Sequence, residues 1–397
     1  MNIAVYGGSF NPPHLGHRTV AQTVMEQLAP DRLLIMPDRV PPHKALAANS
    51  PSPEERLQLC RLCFGDLPGV EISDLELRRE GASYTADTVE LLRRDNPNAR
   101  LTLVVGADML LCFNRWYRSR YLMESCALAA VCREGGERET IEEKAAQLRR
   151  DYGAEVLLLS HTPLPLCSAQ VRECLPRREG AEMLPPPVYA EIIRRRYYGA
   201  QPSLDWLRER ACAMLKPTRV AHVLGCEKTA CTLAMRWGED RELAAEAAIL
   251  HDITKSLDTP RQLALCERYG LALTPEERES PQVLHAITAA ALARDEFGVS
   301  DAVAGAIRWH CTGKEDMSGL EKIVWLADYI EPTRHFPGVE DVRALAEEDL
   351  DLALLTALQM TLRYIREQGE TPCPVTERAA RYYEKLTQNK NRRKPIC

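Results

Sequence analysis

Five unbroken apolar runs punctuate the first half of this 397-residue chain: Ile3–Tyr6, Leu33–Met36, Leu101–Val105, Leu128–Cys132 and Val156–Leu159. A run without polar alternation suits a strand covered on both faces, as in a parallel sheet. Helical patterns separate the runs, at His17–Leu28, Pro53–Phe64, Thr85–Arg94 and Ile141–Asp151. Ser52-Pro53 opens the second of these and Asn96-Pro97 closes the third, as start and stop signals do. Strand followed by helix, repeated, predicts a doubly wound α/β domain. After a helix over Val188–Arg196 the stretch Tyr198-Gly199-Ala200-Gln201-Pro202-Ser203 carries turn residues and reads as a linker. From Leu204 the pattern becomes long and rich in Ala, Leu, Glu and Arg, as in Arg241–His251 and Leu350–Gln368, which predicts an all-α second half. The expected division is 1–197, a linker over 198–203, a helical domain over 204–388 and a basic tail over 389–397.

A length of 397 residues accommodates two such domains. A net charge of -6 and an isoelectric point near 5.9 argue against general affinity for nucleic acid or anionic membrane. Phosphate must therefore be bound by local groups. Met1–Tyr6 lacks the basic start of a secretory signal, and no apolar run reaches the ~20 residues of a membrane span. The chain is expected to stay in the cytoplasm with its 14 cysteines reduced. Cys60 and Cys63 form a C-x-x-C without a second pair, and core packing on an amphipathic helix is the expected role.

The first strand runs into Gly7-Gly8-Ser9-Phe10-Asn11-Pro12-Pro13-His14-Leu15-Gly16-His17. Glycines at a strand end admit a ligand close to the backbone, and the helix that follows offers free N–H groups to phosphate. No Gly-Lys-Ser/Thr and no G-x-G-x-x-G is present, so neither a Walker loop nor a dinucleotide fingerprint explains the turn. His14 and His17, three apart, can donate together to one triphosphate.

This segment resembles the H-x-G-H signature of the nucleotidyltransferase superfamily, and the N-terminal half is similar to bacterial nicotinate-nucleotide adenylyltransferases. Val40-Pro41-Pro42-His43-Lys44 matches that family's Pro-Pro-His-Lys loop. Arg79-Glu80-Gly81-Ala82-Ser83-Tyr84-Thr85-Ala86-Asp87-Thr88 matches its Ser-Tyr-Thr-x-Asp-Thr segment, and Val105-Gly106-Ala107-Asp108 with Arg115-Trp116-Tyr117 its Gly-Ala-Asp and Trp elements. The late Ser-Ser-Thr-x-Ile-Arg motif stands here as Cys167-Ser168-Ala169-Gln170-Val171-Arg172, losing two hydroxyls but keeping Ser168 and Arg172; Arg133-Glu134 replaces Arg-Pro. The resemblance implies transfer of AMP from ATP, with Mg²⁺, to nicotinate mononucleotide. Gly7, Gly8, Ser9, Phe10, His14, His17, Ser168 and Arg172 would bind ATP; Thr85, Gly106, Asp108, Trp116 and Arg133 would bind the pyridine nucleotide. His14, His17, Lys44 and Arg172 would offset phosphate charge. Trp116 suits a core role too, and the runner-up activity is transfer to pantetheine phosphate or glycerol phosphate.

The second half carries His222, the pair His251-Asp252, His285, His310 and Asp328, each in or near a helical pattern. These imidazoles and carboxylates suffice for one or two metal ions, with no thiolate expected among them. Their order resembles the HD-domain phosphohydrolases. Leu250-His251-Asp252-Ile253-Thr254-Lys255 is similar to the central HD motif, and Ala327-Asp328-Tyr329-Ile330-Glu331-Pro332-Thr333-Arg334 to a signature of bacterial symmetrical diadenosine tetraphosphatases. The resemblance implies a di-iron centre. His222, His251, Asp252 and Asp328 would hold one ion, with Asp252 bridging to a second held by His285 and His310, and Lys255 and Arg334 would contact the polyphosphate. The implied substrate is diadenosine tetraphosphate. The alternatives are another nucleotide, such as a guanosine alarmone, or a non-catalytic helical module for dimerisation or regulation.

Overall fold

The computed structural model describes residues 1–41, 45–133, 138–162 and 164–392. The chain divides into two compact units, Met1–Gln201 and Pro202–Cys397.

The first unit is built on six parallel strands: β1 Asn2–Gly8, β2 Arg32–Pro37, β3 Val70–Ile72, β4 Arg100–Gly106, β5 Ala127–Arg133 and β6 Val156–His161. Their order in the sheet is β3-β2-β1-β4-β5-β6, the doubly wound order that reverses direction beside β1. Five strands cover the five apolar runs, and β3 is an addition that the sequence reading lacked. Tyr6 pairs with Ile35 on one side and Val104 on the other, so the carboxyl ends of β1 and β4 lie together at the switch point. Such a crevice is where open α/β sheets bind ligands.

The first helix spans Leu15–Leu28, two residues earlier than the pattern predicts, with His14 as its N-cap. The helix Pro53–Phe64 starts where expected because Ser52 and Glu55 form a capping box. Cys60 and Cys63 on it are fully buried, and burial pushes the Cys63 thiol up to about 12. Core packing is therefore their role. Tyr198, assigned to the linker from sequence, is buried, and its hydroxyl donates to Asn11 Oδ1 at 2.7 Å. The end of this unit is thus tied to its own glycine-rich turn.

The second unit is all helix. One core joins Pro217–Trp237, Arg241–Leu250, Leu284–Phe297, Asp301–Trp309, Gly319–Ile330 and Leu350–Glu367. Asp240, Ser300 and Ser318 each accept backbone N–H bonds at a helix start, which fixes where the following helix begins. The last helix runs Pro374–Arg392, so its final turns include the first residues of the stretch expected as a tail. Among the described residues no helix is long and apolar enough to cross a membrane.

Candidate active sites

In the first unit a cavity of about 410 Å³ opens at the switch point. Its lining includes Gly7, Gly8, Ser9, Phe10 and His17 from the end of β1 and the first helix, Ser168 and Arg172 from the helix Ser168–Cys174, and Thr85 and Trp116. The structure thus brings seven of the eight residues expected to bind ATP, with Thr85 and Trp116 of the pyridine set, to one hollow. Gly106, Asp108 and His14 stand outside that lining. Lys44 lies outside the described residues, and Arg133 ends β5 with its side chain outside what is described.

The His14 and His17 rings lie against each other, centroids 3.8 Å apart and tilted by 38°, and the His14 backbone N–H donates to His17 Nδ1 at 3.2 Å. A Cβ on Gly16 would meet the His14 ring at 3.0 Å, so the tight turn depends on that glycine. His14 is buried, and burial lowers its imidazole to about 4. At neutral pH it is uncharged. Arg172, in the cavity lining, carries a charge at that pH, and His14 can donate a hydrogen bond. Ser168 Oγ donates to Pro12 O at 2.9 Å and Arg172 Nη1 to Asn11 O at 2.6 Å. Both surviving residues of the late motif therefore also brace the glycine-rich turn.

Gly106 caps the short helix Ala107–Cys112, and a Cβ there would meet Asp108 Oδ1 at 2.7 Å. Trp116 packs on Phe113, ring centroids 4.8 Å apart, and lines the cavity as well, so packing and cavity exposure coexist in one side chain. Sequence reasoning missed four residues here. Tyr84 and Tyr117, ring centroids 4.6 Å apart, both line the cavity. Arg56, fully buried, donates to Ser9 O at 2.7 Å, Asp38 O at 2.7 Å and Asp38 Oδ1 at 3.1 Å. Its charge locks the turn after β1 to the end of β2. Glu76 also lines the cavity and accepts from Thr88 Oγ1 at 2.7 Å; burial, with Asp38 nearby, pushes its carboxyl up to about 7.

In the second unit the six predicted ligands converge. His251 and His310 immediately follow helices, where backbone carbonyls lack intrahelical partners. His251 Nδ1 lies 2.7 Å from Ala248 O, His310 Nδ1 2.7 Å from Ile307 O and His285 Nδ1 2.9 Å from Gln282 O. A carbonyl only accepts, so each Nδ1 carries the proton and each Nε2 faces inward. Asp252 sits in their midst: Oδ2 is 3.4 Å from His251 Nε2, and Oδ1 is 3.3 Å from His285 Nε2 and 3.6 Å from His310 Nε2. His222 Nε2 is 3.0 Å from Asp328 Oδ1, while its Nδ1 is 3.0 Å from the buried Glu331.

This donor set fits a divalent ion. His251 Nε2 and Asp252 Oδ1 are buried without a hydrogen-bond partner, a costly arrangement that a cation would satisfy. Burial alone would raise Asp252 and Asp328, yet the surrounding imidazoles hold both carboxyls well below the usual carboxylate range.

Two thiols join the cluster, correcting the expectation that none would. Donor atoms of His222, Cys226, His251 and Asp328 all lie within 4.8 Å of one another, as do those of His285, His310 and Cys311. Cys226 is one helical turn beyond His222 on the same face, and Cys311 directly follows His310. Arg219, also missed, donates to Asp252 Oδ2 at 2.6 Å. Lys255 Nζ is 2.9 Å from His285 Nε2, and Arg334 donates to Asp328 Oδ1 at 2.8 Å. Both expected polyphosphate contacts thus touch the ligand set itself.

Residues 5–176 match the cytidylyltransferase-like family and residues 219–333 the HD domain family. A relative from Carboxydothermus hydrogenoformans, called a probable nicotinate-nucleotide adenylyltransferase, is 32% identical over 200 residues, 49% of this chain and 97% of its own. A second, from Halalkalibacterium halodurans, called a symmetrical bis(5'-nucleosyl)-tetraphosphatase, is 38% identical over 188 residues, 46% of this chain and 99% of its own. The chain therefore belongs to both families, one in each half. A crystal structure from Clostridium acetobutylicum, described as a predicted HD superfamily hydrolase involved in NAD metabolism, covers 47% of this chain and all of that one at 34% identity and a TM-score of 0.46. In this fusion the nicotinate-nucleotide adenylyltransferase half holds the switch-point cavity, and the HD half holds the imidazole and carboxylate cluster.

Proposed function

We propose that the first unit transfers AMP from ATP to nicotinate mononucleotide, releasing pyrophosphate, and that the second hydrolyses diadenosine tetraphosphate to two ADP. The observation that carries the first reading is one cavity lined by Gly7, Gly8, Ser9, Phe10, His17, Ser168 and Arg172 together with Thr85 and Trp116. An oxygen of the mononucleotide's phosphate attacks the α-phosphorus of Mg²⁺-bound ATP, and the bond to pyrophosphate breaks, with no covalent enzyme intermediate. Positioning and charge are then the protein's whole contribution. Gly7, Gly8, Ser9 and Phe10 would shape the ATP site. His14 and His17 would donate to the phosphates; Arg172 and Lys44 would offset their charge while Ser168 holds the turn. Thr85, Gly106, Asp108, Trp116 and Arg133 would hold the mononucleotide.

For the second unit, the buried Asp252 among inward-facing imidazoles carries the reading. His222, His251, Asp252 and Asp328 would hold one ion and His285 and His310, with Asp252, a second; iron is the metal the family resemblance implies. When bound, such ions lower the pKa of water and polarise a phosphoryl oxygen. Lys255 and Arg334 would orient the polyphosphate, with Arg219 steadying Asp252.

Full-length protein given ATP, Mg²⁺ and nicotinate mononucleotide should yield the deamidated dinucleotide and pyrophosphate. Metal-loaded under anaerobic conditions and given diadenosine tetraphosphate, it should yield ADP alone, and Asp252→Ala should yield none. AMP plus ATP as products would sink the symmetrical assignment.

A further inference from the structure

Resting on the metal-centre reading above, the geometry around His310 goes one donor further. His285 Nε2 and His310 Nε2 lie 3.2 Å apart. Cys311 Sγ is 3.0 Å from the first and 3.2 Å from the second. Asp252 Oδ1 approaches the same two nitrogens at 3.3 and 3.6 Å. A tetrahedral ion with metal–nitrogen bonds of about 2.0–2.1 Å and a metal–sulfur bond of about 2.3 Å has edges of roughly 3.3 Å between nitrogens and roughly 3.5 Å between nitrogen and sulfur. The nitrogen–nitrogen distance and the two nitrogen–sulfur distances fall within about half an ångström of those edges, and Asp252 Oδ1 lies at a similar separation from the same nitrogens. The two rings cannot easily turn away, because their Nδ1 protons are given to Gln282 O and Ile307 O. Cys311, half-buried, is held next to His310 by the chain itself.

We propose that Cys311 is a thiolate ligand of the ion held by His285, His310 and Asp252, giving that site two nitrogens, one oxygen and one sulfur. A thiolate shifts preference toward zinc-like, softer divalent ions and away from those that favour oxygen. On binding, the S–H bond breaks, its proton leaves to solvent and the sulfur lone pair forms the bond to the ion. The Lys255 ammonium, 2.9 Å from the same His285 nitrogen, is displaced at that moment, since cation and ammonium claim one lone pair.

The test is a cobalt(II) titration of metal-free, full-length protein under anaerobic conditions, read by the near-ultraviolet sulfur-to-cobalt charge-transfer band. Wild type and Cys226→Ala should both develop the band. Cys311→Ser and Cys311→Thr, checked for native circular dichroism, should bind cobalt with the band lost. Cobalt bound by wild type without a band, or a band that survives both substitutions, overturns the thiolate ligand and leaves the metal centre standing. If wild type binds no cobalt at all, the thiolate ligand and the metal-centre reading fall together.

Discussion

At the scale of single residues, His17 and Glu76 separate two uses of one cavity wall. His17 faces the cavity from the first turn of a helix, where donors aimed at developing charge matter most to turnover. His17→Ala should therefore lower kcat by about 10²–10³ with little change in KM for ATP, measured by steady-state kinetics of dinucleotide formation. Glu76 does not resemble a ligand-binding group in the sequence, but its carboxyl is held at about 7 against an ordinary 4.5. A raised folded-state pKa means that the native state binds the proton more tightly between those values. Its stabilising effect is then complete below 4.5 and lost as pH rises through about 7. Glu76→Gln should make the first unit more stable than wild type near pH 8, by up to about 3 kcal/mol. That advantage should shrink toward zero near pH 4 in denaturant melts of the first unit's transition. An advantage that grows on acidification would contradict the assigned direction.

At the scale of elements, the turn after β1 is positioned from beneath by the helix Pro53–Phe64. The fully buried Arg56 on that helix ties Ser9 and Asp38 together. Arg56→Met leaves those acceptors and the Asp38 charge without their cation, and should destabilise the first unit by about 3–5 kcal/mol, read from the first unit's denaturation midpoint. A midpoint within error of wild type would remove Arg56 from this role. The sequence does contain its signal: Arg56 shares a helix face with Cys60 and Cys63, four and seven residues on, and all three are buried. From sequence Arg56 carries no assigned role, and arginine on a helix is most often solvent-facing. β3 went unseen for another reason. Val70-Glu71-Ile72 is three residues long, sits at the sheet edge and is only partly buried, so neither length nor an apolar run announces it. The longer strands, covered on both faces, were legible as apolar runs, and the helix starts at Ser52 was legible through capping chemistry. The residues expected as HD ligands were legible as residue types in order. Their aim was not, because it depends on helix ends whose free carbonyls fix each ring. Cys226 and Cys311 were passed over because buried cysteine normally packs as a small hydrophobe.

At the scale of the whole molecule, the chain joins two compact units, each with its own core and its own site. Calorimetry of the full chain should show two transitions. Zinc at a hundredfold excess over its Kd should raise only the second unit's stability, by about 2.7 kcal/mol. A metal-induced shift in both transitions would mean that the ion binds elsewhere too. The central claim is that two chemistries occupy one polypeptide and rest on different residues. Its most direct test compares wild type, His17→Ala and Asp252→Ala, each metal-loaded and full length, for dinucleotide formed from ATP and nicotinate mononucleotide and for ADP formed from diadenosine tetraphosphate. The account predicts that His17→Ala loses only the dinucleotide and Asp252→Ala only the ADP. A variant that loses both products, or wild type that makes only one, would contradict it.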